Sequence, residues 1–194
     1  MNTDSLLNYI SKYIDLTEEE QAILLSKIKY RKYQKGQYIL QQGDVCKISC
    51  FILKGCAKSY HIDKEGQEHI INFCIEDWWA SDLGSLISQD PSDFNIQCIE
   101  TTEVLQFTYN DQESLVNEIP KMERLFRKML ERALVSSQKR IVRNFSLTAK
   151  ERYLYFKEQN PSIDQRVPQY MIASYLGMTK EFLSKIKSQL ILDQ

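Results

Sequence analysis

No stretch of this chain approaches the roughly 18 to 20 consecutive apolar residues that a membrane-crossing helix needs, which argues against a helical membrane protein. The opening MNTDSLLNYI has neither the basic start nor the small-residue cleavage site of a secretory signal, so the expected location is the cytoplasm. The five cysteines, Cys46, Cys50, Cys56, Cys74 and Cys98, are odd in number and contain no CxxC pair. That spacing supports neither a disulfide framework nor a zinc knuckle, and gives no support to an iron-sulfur sensor, so buried thiols are expected. The two histidines, His61 and His69, lie in strand-like runs and are read as structural. No Ser-His-Asp order, metal-ligand cluster, P-loop or GxGxxG is present, so an enzyme is not expected. The nearby carboxylates Asp90 and Asp93 read as a solvated acidic loop. From Glu65 to Glu118 there is not one Lys or Arg against 12 Asp and Glu, a poor environment for an anion.

What is present points to two units of opposite charge. At 194 residues, with 43% hydrophobic and 11% aromatic content, the chain is globular and long enough for two small domains. Residues 1–120 hold 10 Lys and Arg against 19 Asp and Glu, a balance of −9, whereas residues 121–194 hold 15 against 7, a balance of +8. A basic C-terminal part attached to an acidic N-terminal part suits a DNA reader joined to something else, because phosphate contacts dominate non-specific DNA affinity.

The acidic part changes pattern along its length. Residues 4–14 and 18–29 read as helices, the second opened by a capping box of Thr17 and Glu20. Short strand-like runs follow at 38–40, 48–54, 56–62, 67–74, 94–100 and 103–108, punctuated by Gly36, Gly43, Gly55 and the turn Asp63-Lys64-Glu65-Gly66, which joins two of them as a hairpin. This is an antiparallel β domain. One long helix is expected after it, from Ile119 to Asn144, with Ile119, Met122, Phe126, Met129, Ala133, Ser137, Arg140 and Asn144 in a seam suited to a parallel dimer. Leu125, Leu130, Leu134 and Ile141 form a second apolar strip on it, so both faces are available. Thr148 and Glu151 make another capping box, opening a helix that runs to Gln159 and stops at Asn160-Pro161.

The segment 167–190, VPQYMIASYLGMTKEFLSKIKSQL, carries the sharpest signal. Ile172, Leu176, Met178, Leu183 and Ile186 form the inner faces of two short helices, Ala173 is small where they cross, and Gly177 sits where the chain must turn left-handed. Thr179 then caps a second helix whose outward face is Lys180, Glu181, Ser184, Lys185 and Lys187. A helix-turn-helix for the major groove of double-stranded DNA fits this pattern, with an ordinary helical hairpin as the bland alternative.

With KGQYILQQGD at 35–44, FILKG at 51–55 and VPQYMIASYLGMTKEFLSKIK at 167–187, nearly the whole chain resembles the Crp/Fnr family of bacterial transcriptional regulators. The resemblance implies an α+β fold: an antiparallel, jelly-roll-like β-roll sensing domain over residues 1–118, a long dimerisation helix over 119–145 and a helix-turn-helix domain over 146–194. It also implies a homodimer on a palindromic site, with recognition helices about 34 Å apart, and RNA polymerase as a further partner. Met122, Phe126, Met129 and Ala133 are the expected dimer contacts.

Cyclic AMP is the obvious effector by resemblance, and here the chain departs from its relatives. The Gly-Glu pair and the Arg of cyclic-nucleotide binders fall on Ser81-Asp82 and Ser92-Asp93. Ser and Asp in place of Arg remove the charge partner a cyclic phosphate requires, so cyclic AMP is not the expected ligand. Trp79, beside Trp78, could line a pocket for a different small molecule, and Ser137 and Gln138 match the positions that approach the base. An unidentified effector, a protein contact and an unliganded scaffold stay open, as does a module that acts through protein contacts without DNA. No cysteine precedes Cys46, which argues against the oxygen-sensing branch. At the DNA-reading positions Lys180, Glu181 and Lys185 stand where many members have Arg, Glu and Arg, and lysine lacks the planar fork that reads guanine in two prongs. The chain ends at Gln194 without the β wing of many relatives, so Arg140, Arg143 or Lys150 is expected to supply phosphate contacts.

Overall fold

Alternation along the strands builds two apolar faces at once in the computed structural model, which describes residues 3–192. In β3 (Ile48–Lys54) Cys50 and Ile52 point to one side and Phe51 to the other, while β8 (Thr102–Thr108) sends Val104 one way and Leu105 and Phe107 the other. These two strands pair antiparallel, with β1 (Lys29–Tyr33) and β6 (Trp79–Ala80) at the edges, in the order β1-β8-β3-β6. A second antiparallel sheet runs β2-β7-β4-β5 through Tyr38–Leu40, Asn95–Cys98, Ala57–Ile62 and Glu68–Cys74. The sheets share a core that includes Tyr33, Leu40, Ile52, Leu86, Ile96 and Val104, so the β domain is a two-sheet roll.

Helices cover both outer faces. Over the first sheet lie α1 (Asp4–Ser11), α2 (Glu18–Ser26), α4 (Tyr109–Glu118) and the start of α5 (Met122–Ser146), packing Leu6, Ile10, Leu24, Leu115 and Leu125 on Phe51, Leu105 and Phe107. Over the second sheet lie the C-terminal helices α6 (Ala149–Gln159), α7 (Pro161–Arg166), α8 (Gln169–Tyr175) and α9 (Lys180–Leu192), whose Tyr153, Phe156, Ile163 and Ile172 share a core with Tyr60, Ile70 and Phe73. The short α3 (Leu83–Ser88) sits between β6 and β7.

Local chemistry explains the turns. Both expected capping boxes form, at Thr17 with Glu20 and at Thr148 with Glu151. The β4–β5 hairpin closes as read, with Asp63 Oδ1 accepting from the N–H groups of Glu65 and Gln67 at 3.0 and 2.9 Å. Gly55, in the turn between β3 and β4, has φ of +106°, and a Cβ there would stand 2.6 Å from the Thr101 carbonyl oxygen. Only glycine fits both constraints.

Two expectations are corrected. Residues 109–118 form a helix of their own, α4, opened by a capping box of Thr108 and Asp111, which was not expected between the β domain and the long helix; the long helix itself is present, shifted to Met122–Ser146. Ile119 is instead fully buried at the C-cap of α4, and α5 begins at Met122, after Pro120 has interrupted the backbone hydrogen bonding. The second helix ends at Ser26 rather than running to residue 29, because Lys29–Tyr33 is claimed by β8 as an edge strand. Its first four residues are exposed, which hides the strand from any reading based on alternating apolar residues.

All five cysteines are free and buried. Burial pushes the thiols of Cys50, Cys56 and Cys74 up to about 12, and those of Cys46 and Cys98 upward, so thiolate chemistry near neutral pH is suppressed. Among the described residues no cluster of His, Cys, Asp and Glu is arranged to hold a metal ion.

Candidate functional site

The two C-terminal helices cross as the spacing of their apolar residues predicts. Ile172, Ala173, Leu176, Leu183 and Ile186 are buried and Met178 partly so. Gly177 has φ of +66°, and the Met178 N–H donates back to the Ala173 carbonyl at 3.0 Å, closing the first helix with a left-handed cap. The Thr179 hydroxyl accepts from the Phe182 N–H at 3.2 Å and opens α9. Lys180, Glu181, Ser184 and Lys185 project into solvent from α9. Lys187 does not: its ammonium lies 3.8 Å from Asp164 Oδ1 and 5.5 Å from the Tyr153 ring centre, which ties it to the helix pair's own support. The exposed face therefore has two lysines and one glutamate, with Thr179 spent as a cap.

This unit is docked on the β-roll through α8. Ser174 Oγ donates to the Glu68 carbonyl and accepts from the Ile70 N–H, both at 3.1 Å, extending the hydrogen bonding of β5. Arg166, at the end of α7, reaches Glu76 Oε2 and Oε1 at 2.8 and 3.0 Å and also pairs with Glu100. Burial would raise the Glu76 carboxyl, but the guanidinium and the Gly55 N–H hold it below the usual value, and the two carboxylates raise Arg166 further. None of this junction was legible as function: Arg166 and Glu76 carry no motif, and Ser174, although inside the segment 167–190, had no role assigned to it.

In the β-roll, the positions that match a cyclic-nucleotide site are closed on one another. Asp82 Oδ1 caps α3 by accepting from the Ser85 N–H at 3.1 Å, and Asp82 Oδ2 accepts from Ser92 Oγ at 2.7 Å. Ser92 Oγ accepts in turn from the Phe94 N–H at 3.2 Å, and both Asp82 and Ser92 are buried. Ser81 is half-buried beside them. Asp93 is exposed, its carbonyl 2.6 Å from His61 Nδ1, while His69 Nε2 pairs with Asp63 at 2.6 Å. Trp79 lies elsewhere, its ring 5.3 Å from Phe51 and 5.4 Å from Phe107 in the outer core of the first sheet. Ser137 and Gln138 are exposed on α5.

The long helix divides its expected seam. Met122 is buried, and Phe126 and Met129 pack on the β-roll core, whereas Ala133 is exposed. Beyond Met129 every residue of α5 is exposed except Arg140 and Arg143. Leu130, Leu134, Ile141 and Phe145 form one stripe there, spaced by four, seven and four residues and exposed by 48, 61, 54 and 87%. Arg140 donates to the Ile71 carbonyl of β5 and Arg143 to the Tyr155 hydroxyl of α6. Lys150 sits in the first turn of α6.

Comparison with known proteins places this geometry. Residues 30–118 match the cyclic nucleotide-binding domain. The chain is 24% identical over 187 residues to the transcriptional activator protein Anr of Pseudomonas aeruginosa, covering 89% of this chain and 75% of that protein. It is 28% identical over 185 residues to the fumarate and nitrate reduction regulatory protein of Vibrio cholerae, covering 88% and 72%. Among solved structures it is similar in fold to FixK2 of Bradyrhizobium japonicum, at a TM-score of 0.73 and 19% identity over 86% of this chain and 85% of that one. It is similar also to CLP of Xanthomonas campestris, described as a c-di-GMP responsive global regulator, at a TM-score of 0.74 and 14% identity over 91% and 93%. These proteins are transcription regulators rather than enzymes. With a β-roll that matches the cyclic nucleotide-binding domain over residues 30–118, a long helix and a C-terminal helix pair, the chain carries that domain and is similar along most of its length to transcription regulators of the Crp/Fnr type.

Proposed function

We propose that this regulator is a homodimer that binds a palindromic DNA site, and that its β-roll does not respond to cyclic AMP. The observation that carries the dimer is the free half of α5. A stripe of four large apolar side chains on an otherwise solvated helix is costly in a monomer and is satisfied when two such helices pair in parallel. Two-fold pairing of α5 would carry two copies of α9 with it, and their exposed Lys180, Glu181, Ser184 and Lys185 suit successive major grooves. In division of labour, residues 1–118 sense or scaffold, 119–145 dimerise and 146–194 read DNA.

Against cyclic AMP stands the use of both Asp82 carboxylate oxygens, one on Ser85 and one on Ser92. A ribose hydroxyl would have to displace a buried serine, and the cyclic phosphate would meet Ser92 and Asp93 instead of a guanidinium. The test is selection of bound duplexes from a random library at moderate salt, with and without cyclic AMP. Enrichment of the same palindrome in both arms is the expected result. Enrichment only with the nucleotide would overturn the reading of the β-roll, and no enrichment in either arm would favour a module that works through protein contacts.

A further inference from the structure

A cleft of about 410 Å³ lies where the β-roll, the long helix and the docked C-terminal helices meet, a size typical of small-molecule sites. Its basic groups are Arg132, Arg140 and Arg143 from one face of α5 and Arg152 from α6, and no Asp or Glu lines it. Trp78 and Tyr155 line its wall, with the Arg143 guanidinium over the Tyr155 ring at 4.3 Å from its centre. The four guanidiniums have only neutral partners: Arg132 the Tyr13 hydroxyl, Arg140 the Ile71 carbonyl, Arg143 the Tyr155 hydroxyl at 3.3 Å and Arg152 the Asn144 carbonyl at 3.1 Å, with Arg132, Arg140 and Arg143 also lying 5.8, 5.6 and 4.3 Å from the ring centres of Tyr13, Tyr175 and Tyr155. Among the described residues none has a carboxylate in ion-pair range. Arg152 Nε is buried with no partner at all. Four like charges gathered in a concave, partly desolvated site repel one another, and each guanidinium retains unused donors in the forked geometry that fits oxyanions.

The geometry points to a binding site for a small organic polyanion, one flat ring bearing two or more phosphate or carboxylate groups. The oxyanions would sit among the four arginines and the ring against Trp78 and the Arg143–Tyr155 pair, both stacking and cation attraction favouring that orientation. This site is separate from the Asp82–Ser92 position inside the β-roll. Duplex DNA is too wide for a cleft walled on one side by Asn72 and Trp78 and on another by Tyr175 and Leu176. Because Tyr175 and Leu176 end the first helix of the helix-turn-helix, occupancy bears on how that helix is held; this last step rests on the DNA-binding reading, whereas the site itself does not.

Calorimetric titration of the full chain at low salt with four probes tests the site without any DNA: ATP, benzene-1,3,5-tricarboxylate, inorganic pyrophosphate and adenosine. Saturable binding of at least one ring-bearing anion is expected at one per chain, with pyrophosphate about tenfold weaker and adenosine silent. The preference between ATP and the tricarboxylate then identifies phosphate or carboxylate as the natural group. Arg143→Gln with Arg152→Gln should weaken binding by at least about tenfold, and Trp78→Ala should weaken the ring-bearing probe while sparing pyrophosphate. Unchanged thermal unfolding of the Trp78→Ala protein guards against simple misfolding. Silence with all four probes, or binding that neither variant alters, would overturn the proposal. So would arginine variants that lose affinity for duplex DNA alone, which would make the cleft part of the phosphate-contacting surface.

Discussion

At the scale of single residues, the face of α9 proposed to read DNA is small enough to predict in full. Lys180 and Lys185 are exposed, unpaired with any acid among the described residues, and one turn and a fraction apart, so each is placed to donate to phosphate or to a guanine edge. Lys180→Ala and Lys185→Ala are each expected to weaken specific binding by about 1 to 3 kcal/mol, while Glu181→Ala chiefly relaxes base preference. Gel-shift titration across a set of single-base operator variants distinguishes the two, and unchanged affinity and preference in all three proteins would take α9 out of the groove. Lys187→Ala should act differently, lowering stability slightly with little change in base preference, since its ammonium faces Asp164 and Tyr153. A helical-wheel reading placed Lys187 outward because it cannot see α6 and α7 packed beside it.

A second residue-scale prediction concerns Gly55. With φ of +106° and the Thr101 carbonyl 2.6 Å from where a Cβ would be, Gly55→Ala is expected to cost more than about 2 kcal/mol and to lower the melting temperature by several degrees. Gly177→Ala should cost only about 1 kcal/mol, because φ there is +66° and nothing stands within 4 Å of the added methyl. Thermal unfolding of the two variants side by side checks the ordering. Their order would be reversed only if the β3–β4 turn could move away from Thr101.

At the scale of elements, strands and caps were legible where side chains alternate or where a threonine stands three residues before an acid. Six of the eight strands follow runs evident in the sequence, whereas Lys29–Tyr33 is polar and Trp79–Ala80 is too short to show a period. The capping pair Thr108 and Asp111 was present to be read and would have revealed α4. On α5 two apolar strips were visible, but not which of them the β-roll would claim. Packing decides it: Met122, Leu125, Phe126 and Met129 go to the domain's own core, and Leu130, Leu134, Ile141 and Phe145 stay free. Leu134→Asp with Phe145→Asp is therefore expected to yield a monomer with near-unchanged thermal stability of the β-roll, measurable by sedimentation. Ala133→Asp, outside that stripe, should leave the dimer largely intact.

At the scale of the whole molecule, the question is what holds the C-terminal helices against the β-roll. Apolar packing of α8 on β5 supplies most of the contact, and Arg166 with Glu76 and Glu100 adds the principal ionic tie between them. Arg166 forks onto Glu76, yet the Glu76 side chain is 39% exposed, so its worth is discounted from that of a buried pair to about 1 kcal/mol. The Glu76 carboxyl is held below its ordinary value near 4.5, so its contribution is fully present above that value and is lost as pH falls through the lower, folded value. Unfolding followed by calorimetry should thus show Arg166→Ala less stable than the native protein from neutral pH down to about 5. The gap between the two should narrow below about 4.5. If the docked arrangement also restrains α9, the same variant should shift DNA affinity at neutral pH even though Arg166 faces acids and not the groove. A constant gap across the whole acid range would mean that the tie to Glu76 contributes nothing and that α8 is held by its apolar face and Ser174 alone.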